Sequence, residues 1–276
     1  MYSPPSFAPL RISPSLLRKE GEITRYSVSY APSLRIREGV GGEFIRIGKL
    51  KYKLLLQNKF YLMETEEPKD LLVKPAKIIS IVFHPLMMPV YGMAIIFSAP
   101  TLLGYLPFKV KKLLLLIMLV NNVLLPLSFL PFLIHRNIIT SWAIIERRER
   151  NIPLIITAIL YCVTSFIIFR LPIPLFLKSF IFATAVLSLM VTVINFWWKI
   201  SLHSVGAGAL IGLVLMLSLK MLAPLDLYLI SAIIAGGLIV SSRLKLNLHN
   251  AQQVWVGLFA GFFGLTVFMI LFQKLI

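Results

Sequence analysis

Apolar residues in this chain fall in long blocks, without the four-residue stripe of a surface helix, and polar residues are confined mainly to the intervals between them. The blocks run over residues 78–106, 113–134, 153–169, 176–198, 203–221, 225–240 and 254–271. A helix needs about 20 apolar residues to cross the hydrocarbon core of a bilayer, so each block is long enough or nearly so. Inside lipid every backbone polar group must be satisfied within the protein, which leaves helices for segments of this kind. The pattern predicts an all-α, polytopic membrane helix bundle of about seven spans, with six as the alternative count.

Residues within the blocks refine that picture. Pro85 and Pro89 in the first, and Pro126 in the second, predict kinks that free backbone carbonyls. His84 is expected near the interface or bonded to such a carbonyl. Asn121 and Asn122 lie mid-block, where buried amides tie helices together. Gly206 and Gly208, Gly236 and Gly237, and Gly257, Gly261 and Gly264 supply the small-residue spacing that lets membrane helices approach closely. Trp197 and Trp198 mark a membrane interface.

The first 62 residues differ: they are rich in Pro, Ser, Gly and Arg, and 14–21 approximately repeat at 32–39. A repeat this short buries no core. They read as a disordered basic arm or as a spurious upstream extension, with Met63 the expected start. Residues 63–77 form a short polar lead into a membrane domain over 78–276.

Composition and charge sharpen the class. Hydrophobic residues make up 58% and charged residues 14% of the chain, against roughly a quarter charged in soluble domains. An integral membrane protein follows. The 28 Lys and Arg against 11 Asp and Glu leave a formal charge of +17, most of it between blocks or before residue 80. This suits anionic lipid headgroups and orientation by the positive-inside rule, and no basic stripe with interleaved aromatics points to nucleic acid. The lone Cys162 makes no intramolecular disulfide and no thiolate cluster.

Candidate chemistry concentrates in the intervals. Between the last two blocks stand Arg243 and His249, a planar fork for phosphate oxygens and a ring nitrogen able to attack phosphorus. A second histidine, His203, opens the fifth block behind Lys199 and Ser201. The polar interval 135–153 carries Glu146, Arg147, Arg148, Glu149 and Arg150, which read either as a solvated face with Glu146 and Arg150 paired at i,i+4 or as a source of phosphate-binding arginines. Counting spans puts these three polar clusters on one membrane face. That face also carries the larger share of Lys and Arg, which favours it as cytoplasmic.

The spacing Ser242-Arg243-x5-His249-x7-Gly257 resembles the third signature, Ser-Arg-x5-His-x3-Asp, of the type 2 phosphatidic acid phosphatase (lipid phosphatase/haloperoxidase) superfamily, in its bacterial-type membrane members. Ser201-Leu202-His203 resembles the second signature, Pro-Ser-Gly-His, and Arg150-Asn-Ile-Pro153 faintly resembles the first, Lys-x6-Arg-Pro. The resemblance covers about residues 78–271. It implies a hydrolase of lipid phosphates in the bacterial cytoplasmic membrane, acting on a phosphorylated lipid or isoprenyl phosphate and needing no cofactor or metal. It implies His249 as the nucleophile forming a phosphohistidine and His203 as general acid. Arg243, Ser201, Arg150, Arg147 and Lys199 would bind phosphate oxygens. The orienting aspartate falls at Gln253, whose carbonyl accepts an imidazole N–H without adding charge. Leu202 replaces the second-signature glycine and Ile200 its proline. Three classes of function stay open: a divergent lipid-phosphate phosphatase, a non-catalytic relative that binds or transports a phosphorylated lipid, and a polytopic scaffold.

Overall fold

A computed structural model of the chain describes residues 72–140, 144 and 146–276. The expected basic arm, its repeat, and the Met63 start lie outside these residues. Nine α-helices run through the described part: α1 (Val73–Val82), α2 (Met88–Ser98), α3 (Phe108–Leu119), α4 (Leu125–His135), α5 (Asn151–Phe169), α6 (Leu175–Trp197), α7 (Leu202–Met221), α8 (Asp226–Lys245) and α9 (Ala251–Leu275). Together they provide seven segments long and apolar enough to span a membrane. The protein is a polytopic membrane helix bundle.

The first two spans are broken where the sequence places helix-disrupting residues. The first runs through α1 and α2 and is interrupted at Phe83 and His84, with a 3₁₀ turn at Pro85–Met87. Here Pro85 lacks the N–H that would continue the helix. His84 caps that turn instead of bonding to a freed carbonyl, its Nδ1 accepting the Leu86 N–H at 3.3 Å. The second span passes from α3 to α4 through a π-helical turn at Val120–Leu124, with Pro126 in the first turn of α4. Asn122 within that turn is buried and accepts the Thr164 hydroxyl of α5 at 2.7 Å, tying the two spans together.

Two boundaries differ from the sequence reading. The first span begins at Val73, so Lys74 and Lys77 lie on the helix; Pro75 is tolerated in its first turn, and lysines near a membrane helix end extend toward the headgroups. The sixth continues to Lys245, which places Ser242 and Arg243 on the last turns of α8 and off the connecting loop. Cations are favourable at a helix C-terminus, and Ser242 turns its hydroxyl back to the Leu238 carbonyl at 2.7 Å.

The core that positions the site is the α7–α9 pair. An ideal Cβ on Gly208 would fall 1.9 Å from the Leu258 carbonyl oxygen, and one on Gly261 the same distance from that of Val205. Only glycine allows backbones this close, the small-residue packing that replaces hydrophobic drive in lipid. α6 completes the core, burying Leu177, Phe180, Ile181, Leu187 and Val191.

Candidate functional site

The two histidines are delivered by the ends of the closely packed pair. α7 begins at Leu202, with His203 in its first turn. α8 closes at Leu246, and Asn247 turns the chain with φ of 51°, a left-handed conformation that Asn tolerates. His249 follows, and Asn250 caps α9 by accepting the Gln253 amide at 2.9 Å. Gln253 returns its side-chain oxygen to the Asn250 amide at 3.3 Å, completing a reciprocal capping box. A backbone bond from the Ser201 N–H to the Gln253 carbonyl, 3.3 Å long, fastens the two helix starts together.

His203, Arg243, His249 and Arg150 line one cavity of about 240 Å³, with His84 beside them. The polar clusters from three intervals therefore meet at one end of the bundle, as span counting predicts. The remaining wall is overwhelmingly apolar, including Met88, Leu130, Leu154, Tyr161, Phe180, Leu187 and Leu213. Among the described residues that line the cavity there is no Asp or Glu.

Each polar group has a specific setting. Arg243 is 7% exposed; its Nη1 donates to the Ser80 hydroxyl at 3.3 Å, and its Nε is buried with no hydrogen-bond partner among the described residues. Arg150, 8% exposed, donates through Nε to the Ile144 carbonyl at 2.9 Å. His203 Nε2 lies 3.1 Å from the Ser80 carbonyl oxygen, so this nitrogen carries the proton and Nδ1 the lone pair in the neutral ring. His84 meets His203 edge to face, with ring centroids 5.9 Å apart.

His249 is 7% exposed, and its Nδ1 sits 3.0 Å from Gln253 Oε1. That oxygen also accepts the Asn250 amide, so Nδ1 carries the proton and Nε2 is left with a lone pair. Burial, then the positive charge of Arg150, and further Arg243 and Lys199, lower the His249 pKa to about 4 against the opposing pull of the Gln253 bond. The ring is neutral at neutral pH. Burial and the nearby Arg150 and Arg243 also lower the pKa of Lys199, against the opposing pull of Glu146.

Other residues singled out in the sequence have different positions. Ser201 is fully buried, accepts the Ser204 hydroxyl at 2.9 Å, and is not on the cavity wall. Arg147 is likewise off the wall: its Nη1 donates to the Asn195 carbonyl at 3.1 Å and to that of Phe196, closing carbonyls at the end of α6. Asn195 answers with Nδ2 to the Arg147 carbonyl at 3.2 Å. Lys199 adds charge near the cavity without lining it.

Two residues of the first span join the site. Ser80 holds both His203 and Arg243, and nothing in the local sequence marks it. His84 carried a signal, an ionisable side chain within an apolar block. Among the described residues, no group of three or more His, Cys, Asp or Glu side chains is arranged to hold a metal. No family model, curated protein or solved structure matches this chain.

Proposed function

We propose that the cavity holds a phosphorylated lipid, with its phosphate at the Arg243–Arg150–His249 end and hydrocarbon along the apolar wall, and that the protein is a divergent lipid-phosphate phosphatase. The observation that carries this reading is the buried Arg243 Nε, which has no hydrogen-bond partner among the described residues, in a cavity whose charged lining among those residues is cationic. A buried guanidinium left unpaired is costly, and two neighbouring arginines repel. An anion with several acceptor oxygens relieves both, and a phosphate monoester or pyrophosphate fits the fork of Arg best.

The chemistry follows from the ring states. His249 Nε2, holding the free lone pair, attacks phosphorus; the Nε2–P bond forms as the P–O bond to the lipid breaks. Arg243 and Arg150 stabilise the charge spread over the non-bridging oxygens. His203 in its acid form carries the second proton on Nδ1, the nitrogen not bonded to Ser80, and passes it to the leaving alkoxide. Water then attacks the phosphohistidine, with the now neutral His203 taking its proton, and releases inorganic phosphate.

A second reading, binding without turnover, is favoured by the lack of a carboxylate at the site: Gln253 gives the His249 imidazole no negative charge, and no Asp or Glu among the described lining residues supports the acid form of His203. Purified protein assayed with phosphatidic acid and with an isoprenyl pyrophosphate separates the two. Phosphate release that disappears in His249→Ala, with an acid-labile phosphoryl group trapped on the wild type, supports the phosphatase. Arg243-dependent binding with no release supports the binder.

A further inference from the structure

The apolar part of the cavity has a defined length and a floor, and it opens sideways past the exposed Leu127 and Phe129. Its lining runs from His203 to Leu213 along α7 and from Arg150, the residue before α5, to Tyr161 within it, about 15 and 16 Å at the α-helical rise. At the far end Phe180 and Leu213 are buried, and Gly92 of α2 closes against them. An ideal Cβ on Gly92 would lie 2.7 Å from Phe180 Cζ and 2.8 Å from Leu213 Cδ2, so these three residues meet in contact and form a floor. Four described side chains of the wall carry hydroxyls, Thr157, Tyr161, Thr184 and Ser188, and two of these are satisfied within their own helices. Thr157 and Thr184 bond back to the carbonyls of Pro153 and Ile181 on their own helices, both at about the ideal distance for O–H donors.

We propose that the occupant is a single-tailed phosphate amphiphile whose tail runs about ten carbons along the apolar wall and ends against Phe180, Gly92 and Leu213, an inference that rests on the phosphate-headed reading above. The length of the wall sets the tail. An extended chain advances about 1.25 Å per carbon, from bonds of about 1.5 Å in staggered torsions, so about 15 Å corresponds to about 12 positions including the ester oxygen. The two long acyl chains of a membrane phosphatidate exceed severalfold the whole cavity, about 240 Å³ with its polar end included. Phe180 and Gly92 are therefore the residues that set tail length, and Arg243 selects the head.

The test uses the full chain in amphipol, titrated calorimetrically with straight-chain phosphates from hexyl to hexadecyl, with inorganic phosphate, decanol and phosphatidate as comparisons. Dissociation constants are referred to free monomer. Affinity is expected to rise about threefold to fourfold per carbon from hexyl to decyl phosphate, the increment of a buried methylene, and to stay level from dodecyl to hexadecyl. Phe180→Ala should shift that break to longer chains by several carbons and Phe180→Leu by fewer, thermal unfolding confirming that each variant is folded. Affinity that climbs through hexadecyl phosphate, phosphatidate that binds as tightly as decyl phosphate, or a break unmoved in both folded variants would overturn the single-tail inference while leaving an Arg243-dependent phosphate site standing. Decanol binding as tightly as decyl phosphate, or Arg243→Lys without effect, would bring down the phosphate-headed reading itself.

Discussion

His249 Nδ1 and Gln253 Oε1 lie 3.0 Å apart, and the same oxygen accepts the Asn250 amide at 3.3 Å. One side chain thus caps α9 and fixes the imidazole tautomer. The reach of Gln253 is matched to both partners, which bears on how a charge would be restored at the position where the resembled signature has aspartate. Aspartate is one methylene shorter, whereas glutamate keeps the length and remains a favoured residue at this place in a capping box.

Gln253→Glu should therefore raise the His249 pKa from about 4 toward its ordinary range, by adding a negative charge to the existing hydrogen bond. Turnover of a lipid phosphate should rise tenfold or more, each tenfold being about 1.4 kcal/mol of barrier. Gln253→Asp should gain less. A pH–rate profile together with histidine NMR checks both; a raised pKa without turnover favours the binding reading.

Stability should depend on pH through His249. A histidine in the unfolded chain titrates near 6.5, and His249 in the fold at about 4. Between these values the unfolded chain binds a proton that the folded chain refuses, so stability falls as pH drops from about 6.5 to about 4 and levels off below. Thermal unfolding of wild type and His249→Gln across this window should differ by that slope. Parallel curves would count against the neutral buried ring.

Arg243 and Arg147 should separate cleanly. Arg243→Ala removes a charge-assisted contact to phosphate, worth about 1.5 to 3 kcal/mol, and should weaken decyl phosphate about ten- to a hundredfold. Arg147→Ala should lower the melting temperature through lost bonds to the Asn195 and Phe196 carbonyls, with affinity unchanged. A Kd for Arg147→Ala that moves as far as that of Arg243→Ala would return Arg147 to the phosphate site.

Glycines of the bundle should differ by position. Gly208→Ala and Gly261→Ala drive a methyl group into the facing backbone and should destabilise the α7–α9 pair and weaken binding. Gly237 has nothing within 4 Å of its ideal Cβ, so Gly237→Ala should be neutral or gain up to about 1 kcal/mol from helix propensity. Melting temperatures of the three variants provide the check.

The block pattern by itself pointed to about seven spans with six still open, the break at His84-Pro85, the interhelical role of a mid-block asparagine, and the common face of the polar clusters; the structure has seven apolar segments of spanning length. Lipid leaves the backbone little choice but the helix, and apolar length and chain parity then settle the rest. Sequence spacing also placed Arg243, His203 and His249 among the candidates. What it left open was which side chains meet. Arg147 and Arg150 are three residues apart in one interval, yet one closes the end of α6 and the other lines the cavity. Ser80 became the shared partner of His203 and Arg243 only because α1 packs beside the ends of α7 and α8. Gln253 acquired its double role from the turn that brings His249 onto the first turn of α9. These outcomes depend on side-chain direction and helix rotation, which glycine contacts between distant parts of the chain decide and local composition does not encode.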